Sequence, residues 1–335
     1  MYGRALAALT AHNMPRSIPT FVAAAMLTAV TTAALAQPYP NRPIRLYVGY
    51  PPGGAADLVA RLVGQALSVR LGQPVVIENK PGSGANIAGD AAAKAPADGY
   101  TLLHGPDNLF IANPHLYRKM AFDPLKDLVP VASLASNQLV LAVHPSVPAQ
   151  DLREFIALAR RTNPPLFYAS IGNGSQHHLA MELLKQHADI DLTHVPYRGG
   201  GPAGIALIAG EVTAMFGGGS IAPTIQSGKA RGLAVTGTQR LGQLPELPTI
   251  GELYPGYEVL IWHGLFAPAR TPPAIIEKLR TEVHAVLAQP EVRERLAASG
   301  SGEPYVTTPA EFAARIQGDH EKYGKLIRSI GVKVE

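Results

Sequence analysis

The chain has 335 residues, 47% of them hydrophobic, and a formal net charge of +4 with no basic block, which argues against a nucleic-acid partner. It has no cysteine, which excludes disulfides, thiolate metal sites and a lipid-modified N-terminal cysteine.

Residues 1–36 carry Arg4 and Arg16, no acid, and an apolar run from Phe21 to Leu35 that ends in Ala34-Leu35-Ala36. This is the pattern of a secretory signal, with cleavage expected after Ala36 and a periplasmic destination. The charged region fits best if translation begins at Met14. Removal would leave 299 of the 335 residues and, with two arginines and no acid lost, a formal charge of +2. That length suffices for one large or two medium cores. No later stretch reaches the ~20 apolar residues of a membrane span.

The first element is a short apolar strand, Leu46 to Val48, broken by Gly49-Tyr50-Pro51-Pro52-Gly53-Gly54. Beyond it Leu58, Val59, Leu62, Val63, Ala66, Leu67 and Leu71 share one face of a helix. A strand, a tight Gly-rich turn and a helix aim unpaired backbone N–H groups and the positive end of a helix dipole at one spot, where small anions bind. With Gly54 as N-cap, Asp57 stands at N3 and reaches back to the cap as a loop brace rather than a catalytic acid.

Strand and helix then alternate. Strands are expected at Val75–Ile77, Tyr100–Leu103, Val131–Leu134, Leu139–Val143, Leu166–Ala169, Leu192–Val195, Val212–Phe216, Gly232–Val235 and Val259–Phe266. Helices are expected at Ala85–Lys94, Ala149–Arg160, His177–Gln186, Pro202–Ala209 and Ile221–Gln226, with a helical tail of Ala274–Leu287, Glu291–Ala297 and Ala310–Ile330. Repeated βα units predict parallel sheets covered on both faces. The polar break Ala135–Gln138 and the Pro/Gly-rich Leu244–Tyr257 read as two crossings between lobes. The expected first domain is therefore discontinuous, 37–137 and 258–335, with 138–257 inserted, and ligands should lie between the lobes.

Six Gly/Ser/Asn-rich loops fall at strand ends: those around Gly53, Ser83, Asp107, Asn173, Gly200 and Gly218. Bare N–H groups and small hydroxyls suit a carboxylate. Each charge-assisted hydrogen bond contributes roughly 1.5–3 kcal/mol, and micromolar binding needs about 8 kcal/mol. Three to five such bonds suffice without a buried arginine.

Tyr50-Pro51-Pro52-Gly53-Gly54-Ala55-Ala56-Asp57, Asn79 to Gly84, Ala97-Asp98-Gly99-Tyr100, Ser170 to Leu179, Val195 to Gly200, Leu247 to Glu252 and Trp262-His263-Gly264-Leu265 closely resemble the periplasmic receptors of tripartite tricarboxylate transporters, the Bug-type family. The resemblance covers nearly the whole chain after residue 36, in order. It implies an α/β, two-domain periplasmic binding protein of the type II-like, Venus-flytrap kind, with a discontinuous first domain and C-terminal helices. It also implies a small organic acid as ligand, no cofactor, and a monomer that serves permease subunits or a sensor domain. Carried across, one carboxylate should lie near Tyr50, Gly53, Gly54 and Ala55, with Ser83 and Gly84 beside it. Asp107, Asn108, Ser170, Asn173, Ser175, Tyr197 and Ser220 should meet the rest.

Three residues depart from the family pattern: Tyr50 where Phe is usual, Ala85-Asn86 in the second loop, and Asp107 in a loop of small residues. An acid at Asp107 repels a second carboxylate unless protonated, which favours amino-acid-like or amide-bearing ligands; the alternative is an outward-facing turn residue. Ser175 beside His177 and His178 invites a hydrolase reading, but no G-x-S-x-G elbow surrounds it. The histidines 177, 178, 187 and 194 lack the spacing of a metal site. Trp262 and His263 read first as a packed hinge, with a cleft wall as the alternative role.

Overall fold

The computed structural model describes residues 39–333, so the expected signal segment and its cleavage after Ala36 lie outside the described residues. Two sheets carry the fold. The first contains β1 (Ile44–Val48), β2 (Val75–Asn79), β3 (Thr101–Pro106), β4 (Leu128–Gln138), β10 (Leu260–Pro268) and β11 (Glu303–Pro304), in the order β11-β4-β10-β3-β1-β2. The second contains β5 (Val140–Val143), β6 (Phe167–Ser170), β7 (Thr193–Pro196), β8 (Ala214–Gly217) and β9 (Arg231–Val235), in the order β7-β6-β8-β5-β9. β3 is buried throughout and β1 at four of its five positions, as expected of central strands covered on both faces.

Neither sheet is wholly parallel, contrary to what βα alternation predicts. β2, β1 and β3 run parallel, as do β7, β6 and β8. In each sheet, however, the strand that arrives from the other sheet enters reversed: β10 is antiparallel to β3 and β4, and β5 to β8 and β9. The polar break at Ala135–Gln138 does not end a strand either. β4 runs straight through it because Ser136 and Asn137 pair with Trp262 and Ile261 of β10, and Ser136 also with Glu303. Polar side chains there sit at a sheet end, where the ladder rather than burial holds the backbone.

The helices that matter for the site are α1 (Ala55–Leu71), α2 (Asn86–Ala93), α3 (Asn108–Ile111), α4 (Asn113–Leu116), α5 (Leu152–Arg161), α6 (Gln176–Ala188), α7 (Gly200–Ile208), α8 (Pro273–Leu287), α9 (Pro290–Ala298) and α10 (Pro309–Ile330). Ser175 caps α6, and a reciprocal Thr308–Glu311 box caps α10. Among the described residues, no helix is long and apolar enough to cross a membrane.

The chain passes between the sheets at one buried threonine. Leu139 N donates to Thr236 Oγ1 (2.8 Å), whose hydroxyl donates to Val259 O (2.7 Å). Thr236 N donates to Leu139 O and Val259 N to Thr236 O, both at 2.9 Å. Thr236 thus laces together three segments that run between the lobes.

The lobes also share an apolar core. One cluster of buried residues runs from Tyr47, Phe110 and Trp262 to Tyr168, Leu179 and Leu184. α10 closes over it: Gln186 on α6 donates to Ser329 Oγ at 2.7 Å, and Tyr257 OH donates to Ala180 O at 2.9 Å. Trp262 is fully buried among Phe110, Phe266 and Phe312, and its indole N–H donates to Asp319 on α10.

Candidate functional site

Between the two sheets lies a cavity of about 1010 Å³, walled by the loops at the strand ends of both. On the first-lobe side the loop after β1 leads into α1 through Gly54, whose backbone is extended and which has no side-chain cap. Gly54, Ala55 and Ala56 face the cavity, so the first turn of α1 presents its N–H groups there. Asp57 braces this loop one residue earlier than expected. Its carboxylate accepts from Gly53 N (2.9 Å) rather than from the Gly54 cap, and from Arg61 Nε and Asn79 Nδ2 (both 2.8 Å). Burial opposes the charge, but those donors win and hold Asp57 down at about 2.

The second loop, after β2, turns through four successive residues with positive φ: Gly82 (133), Ser83 (48), Gly84 (62) and Ala85 (77). Ser83 and Ala85 hold that conformation against their own Cβ atoms, so neighbours must enforce it. Asn108 Nδ2 and Asn113 Nδ2 both donate to Gly84 O at 2.9 Å. Tyr50 OH in turn donates to Asn108 Oδ1 at 3.0 Å, while Asn79 Nδ2 donates to Tyr50 O at 2.9 Å. The hydroxyl that Tyr50 adds is therefore committed to orienting Asn108, which ties three first-lobe loops into one frame.

Asp107 is not an outward-facing turn residue. It is 3% exposed on the cavity wall, and its two oxygens accept from Asn108 N (2.6 Å) and from Gln176 Nε2 (2.7 Å) across the cleft. Burial raises its carboxyl to about 7, against those two hydrogen bonds.

The second lobe brings Gly172, Asn173, Gly174 and Ser175 to the opposite wall, with Gly218, Gly219 and Ser220. Ser175 Oγ donates to Gly172 O at 2.7 Å and accepts from His178 N, so its hydroxyl is engaged in the loop. His178 Nδ1 accepts from Gly174 N, so that nitrogen is not a base aimed at Ser175.

Four expected contacts stand off the wall. Gly53 and Ser83 are exposed on the outer side of their loops. Ser170 is fully buried beneath its loop, 2.6 Å from His194 Nε2, and Tyr197 packs on the second lobe's smaller core cluster. His263 lines the cavity while 6% exposed, the cleft-wall alternative of the sequence reading. The cavity also has walls that sequence reasoning missed: Gln176, 6% exposed, and Ser301, 1% exposed. All three carry a polar atom (His263 Nδ1, Gln176 Oε1, Ser301 Oγ) that has no protein partner. Ile205, Ile208 and Met215 line it as well. His263 and His177 are both lowered to about 4 by burial and are neutral at pH 7. Among the described residues no His/Cys/Asp/Glu group is arranged to hold a metal.

Residues 59–332 match the family model described as "Tripartite tricarboxylate transporter family receptor". A Pseudomonas protein described as lying in the tcbD-tcbE intergenic region is 38% identical over 93% of both chains. "Protein BugT" of Bordetella pertussis is 34% identical over 91% of this chain and 96% of its own. Among solved structures, the R. palustris protein Rpa4515 with adipate is 34% identical with a TM-score of 0.76, covering 88% of this chain and 99% of that one. MatC from Rhodopseudomonas palustris with bound malate is 33% identical with a TM-score of 0.71, over 86% and 100%.

Proposed function

The chain belongs to the tripartite tricarboxylate transporter receptor family, and from that premise we propose that it captures a small organic carboxylate in its cleft and delivers it to a membrane permease of the tripartite type. It is a periplasmic solute-binding receptor and not an enzyme, as its family and its structural relatives are. Relatives described with adipate and with malate support a carboxylate as the class of ligand.

The observation that carries the finer reading is the cavity itself, with uncapped helix starts and Gly-rich turns of both lobes around one space. In this reading the first turn of α1 (Gly54, Ala55) and the clamped turn at Gly84 hold the carboxylate through backbone N–H groups. Tyr50 and Asn108 keep that frame rigid, and Asp107, Asn173, Ser175 and Ser220 form the far wall. Gly53, Ser83, Ser170 and Tyr197 support the loops from behind. The chain divides at 137/138 and 257/258 into a discontinuous first domain and an inserted second, and bends at Thr236 to admit ligand.

The test is a thermal-shift panel of mono-, di- and tricarboxylates, aromatic acids, amino acids and amides on the purified protein. A ligand at 100 times its Kd contributes about 2.7 kcal/mol, which raises the midpoint by a few degrees. A carboxylate hit that is weakened by Gly84→Val supports the site. No shift by any acid, together with no small acid released on denaturation, overturns it.

A further inference from the structure

The ligand class can be narrowed, on the basis of that receptor reading, from the wall opposite the first-lobe loops. α7 (Gly200–Ile208, GGPAGIALI) carries no charged residue. Gly201, Gly204, Ile205 and Ile208 of this helix all line the cavity, a spacing that puts them on one flank. The helix therefore lies along the wall, with Gly200 of its uncapped first turn at one end and the flank of Ile205 and Ile208 beyond it. Ile205 is 68% and Ile208 40% exposed, two of the few large hydrophobic side chains left uncovered. Around them is room: a Cβ built on Gly201 or Gly204 would meet nothing within 4 Å. Met215 and Ile221 continue the apolar surface beyond the helix.

Charge points the same way. Among the described residues, no lysine or arginine lines the cavity. The titratable groups on its wall are Asp107, His177, His263, Tyr50 and Tyr117, none of them cationic at pH 7. A second carboxylate laid on this flank would meet isoleucine side chains, which offer no hydrogen bond to offset its lost hydration.

We propose that this receptor selects a monocarboxylate with an apolar body, alkyl or aryl, whose carboxylate end meets the first-lobe loops and whose body lies along the Ile205–Ile208 flank of α7. Matched pairs of equal length test this by isothermal titration on the purified protein: hexanoate against adipate, and 4-methylbenzoate against terephthalate. The member with one carboxylate should bind at least tenfold more tightly in each pair. Ile205→Lys, at a position exposed enough to leave the fold intact, should erase or reverse the preference. Tighter binding of adipate and terephthalate to the native protein, or an unchanged ratio in the lysine variant, overturns the proposal while leaving the receptor reading in place. Failure of every acid to bind overturns both.

Discussion

Asp107 of the first lobe and Gln176 of the second meet at 2.7 Å across the cleft, a hydrogen bond between side chains that are 3% and 6% exposed. Because Asp107 caps α3 with its other oxygen, this bond ties the start of one lobe's helix to the start of α6 in the other. The lobes are latched where a ligand would lie.

The latch predicts a pH dependence. Burial raises Asp107 to about 7, well above its unfolded value, so the folded protein binds the extra proton between the two values. Its stability is fully present below the unfolded value of about 4 and falls as pH rises through 7, by a few kcal/mol in order of magnitude. Asp107→Asn should remove this slope. Its amide can still cap Asn108 N, and by donating it gives the unpartnered Gln176 Oε1 a hydrogen bond once the glutamine amide turns. Thermal midpoints at pH 5 and pH 8 should differ less in Asp107→Asn than in the native protein, with the variant the more stable at pH 8. A native midpoint that rises from pH 5 to 8 relative to the variant would refute the shift.

Asp57 predicts the opposite sign. Its carboxylate is held down at about 2 despite burial, by Arg61, Asn79 and the Gly53 N–H. Its stability is present above the unfolded value and lost as pH falls from about 4 through 2. Asp57→Asn should therefore lower stability at pH 7, by roughly 1–2 kcal/mol, and flatten the acid limb of the unfolding profile. It should also weaken carboxylate binding, because Gly53 N and Asn79 no longer position the loop before α1. An acid limb identical to the native one would show that the brace carries no stability.

How much of this was legible beforehand depends on how local each signal is. The turns at Gly49–Gly54, Gly82–Gly84 and Gly172–Ser175 show themselves because glycine and proline act on the backbone where they stand. Gln176, Ile205 and Ser301 do not, since nothing around them in the chain differs from an ordinary helix start, an ordinary core helix or an ordinary turn. Their role arises only when α6, α7 and the turn after α9 are brought to one cavity. The reversed strands β5 and β10 were hidden for the same reason: strand direction is decided by which lobe the chain has just left. Asp107 was visible as an odd residue, and its direction became clear only through its partner on α6.

Thr236 predicts a hinge phenotype. Thr236→Val keeps the shape but strands the buried Leu139 N–H, a loss of about 1–3 kcal/mol, and frees Val259 O. Thr236→Ser should restore both bonds and most of the stability. If valine costs nothing in a denaturant melt, the lacing is incidental to the crossing.

Gly174 predicts a test of closure itself. It has φ +71, and a Cβ there would come 2.4 Å from Leu116 Cδ1, a first-lobe side chain on the cavity wall. Only a residue without a side chain lets the two lobes approach this closely. Gly174→Ala should weaken ligand binding by two routes: strain at a positive φ, about 1 kcal/mol, and a methyl group wedged between the lobes. The second route is separable, because Leu116→Ala opens space for the methyl without touching the backbone. In a double-mutant cycle on ligand affinity, the pair should recover part of what Gly174→Ala loses, with a coupling of about 0.5–3 kcal/mol. Strictly additive losses would mean that Leu116 and Gly174 do not approach in the liganded state.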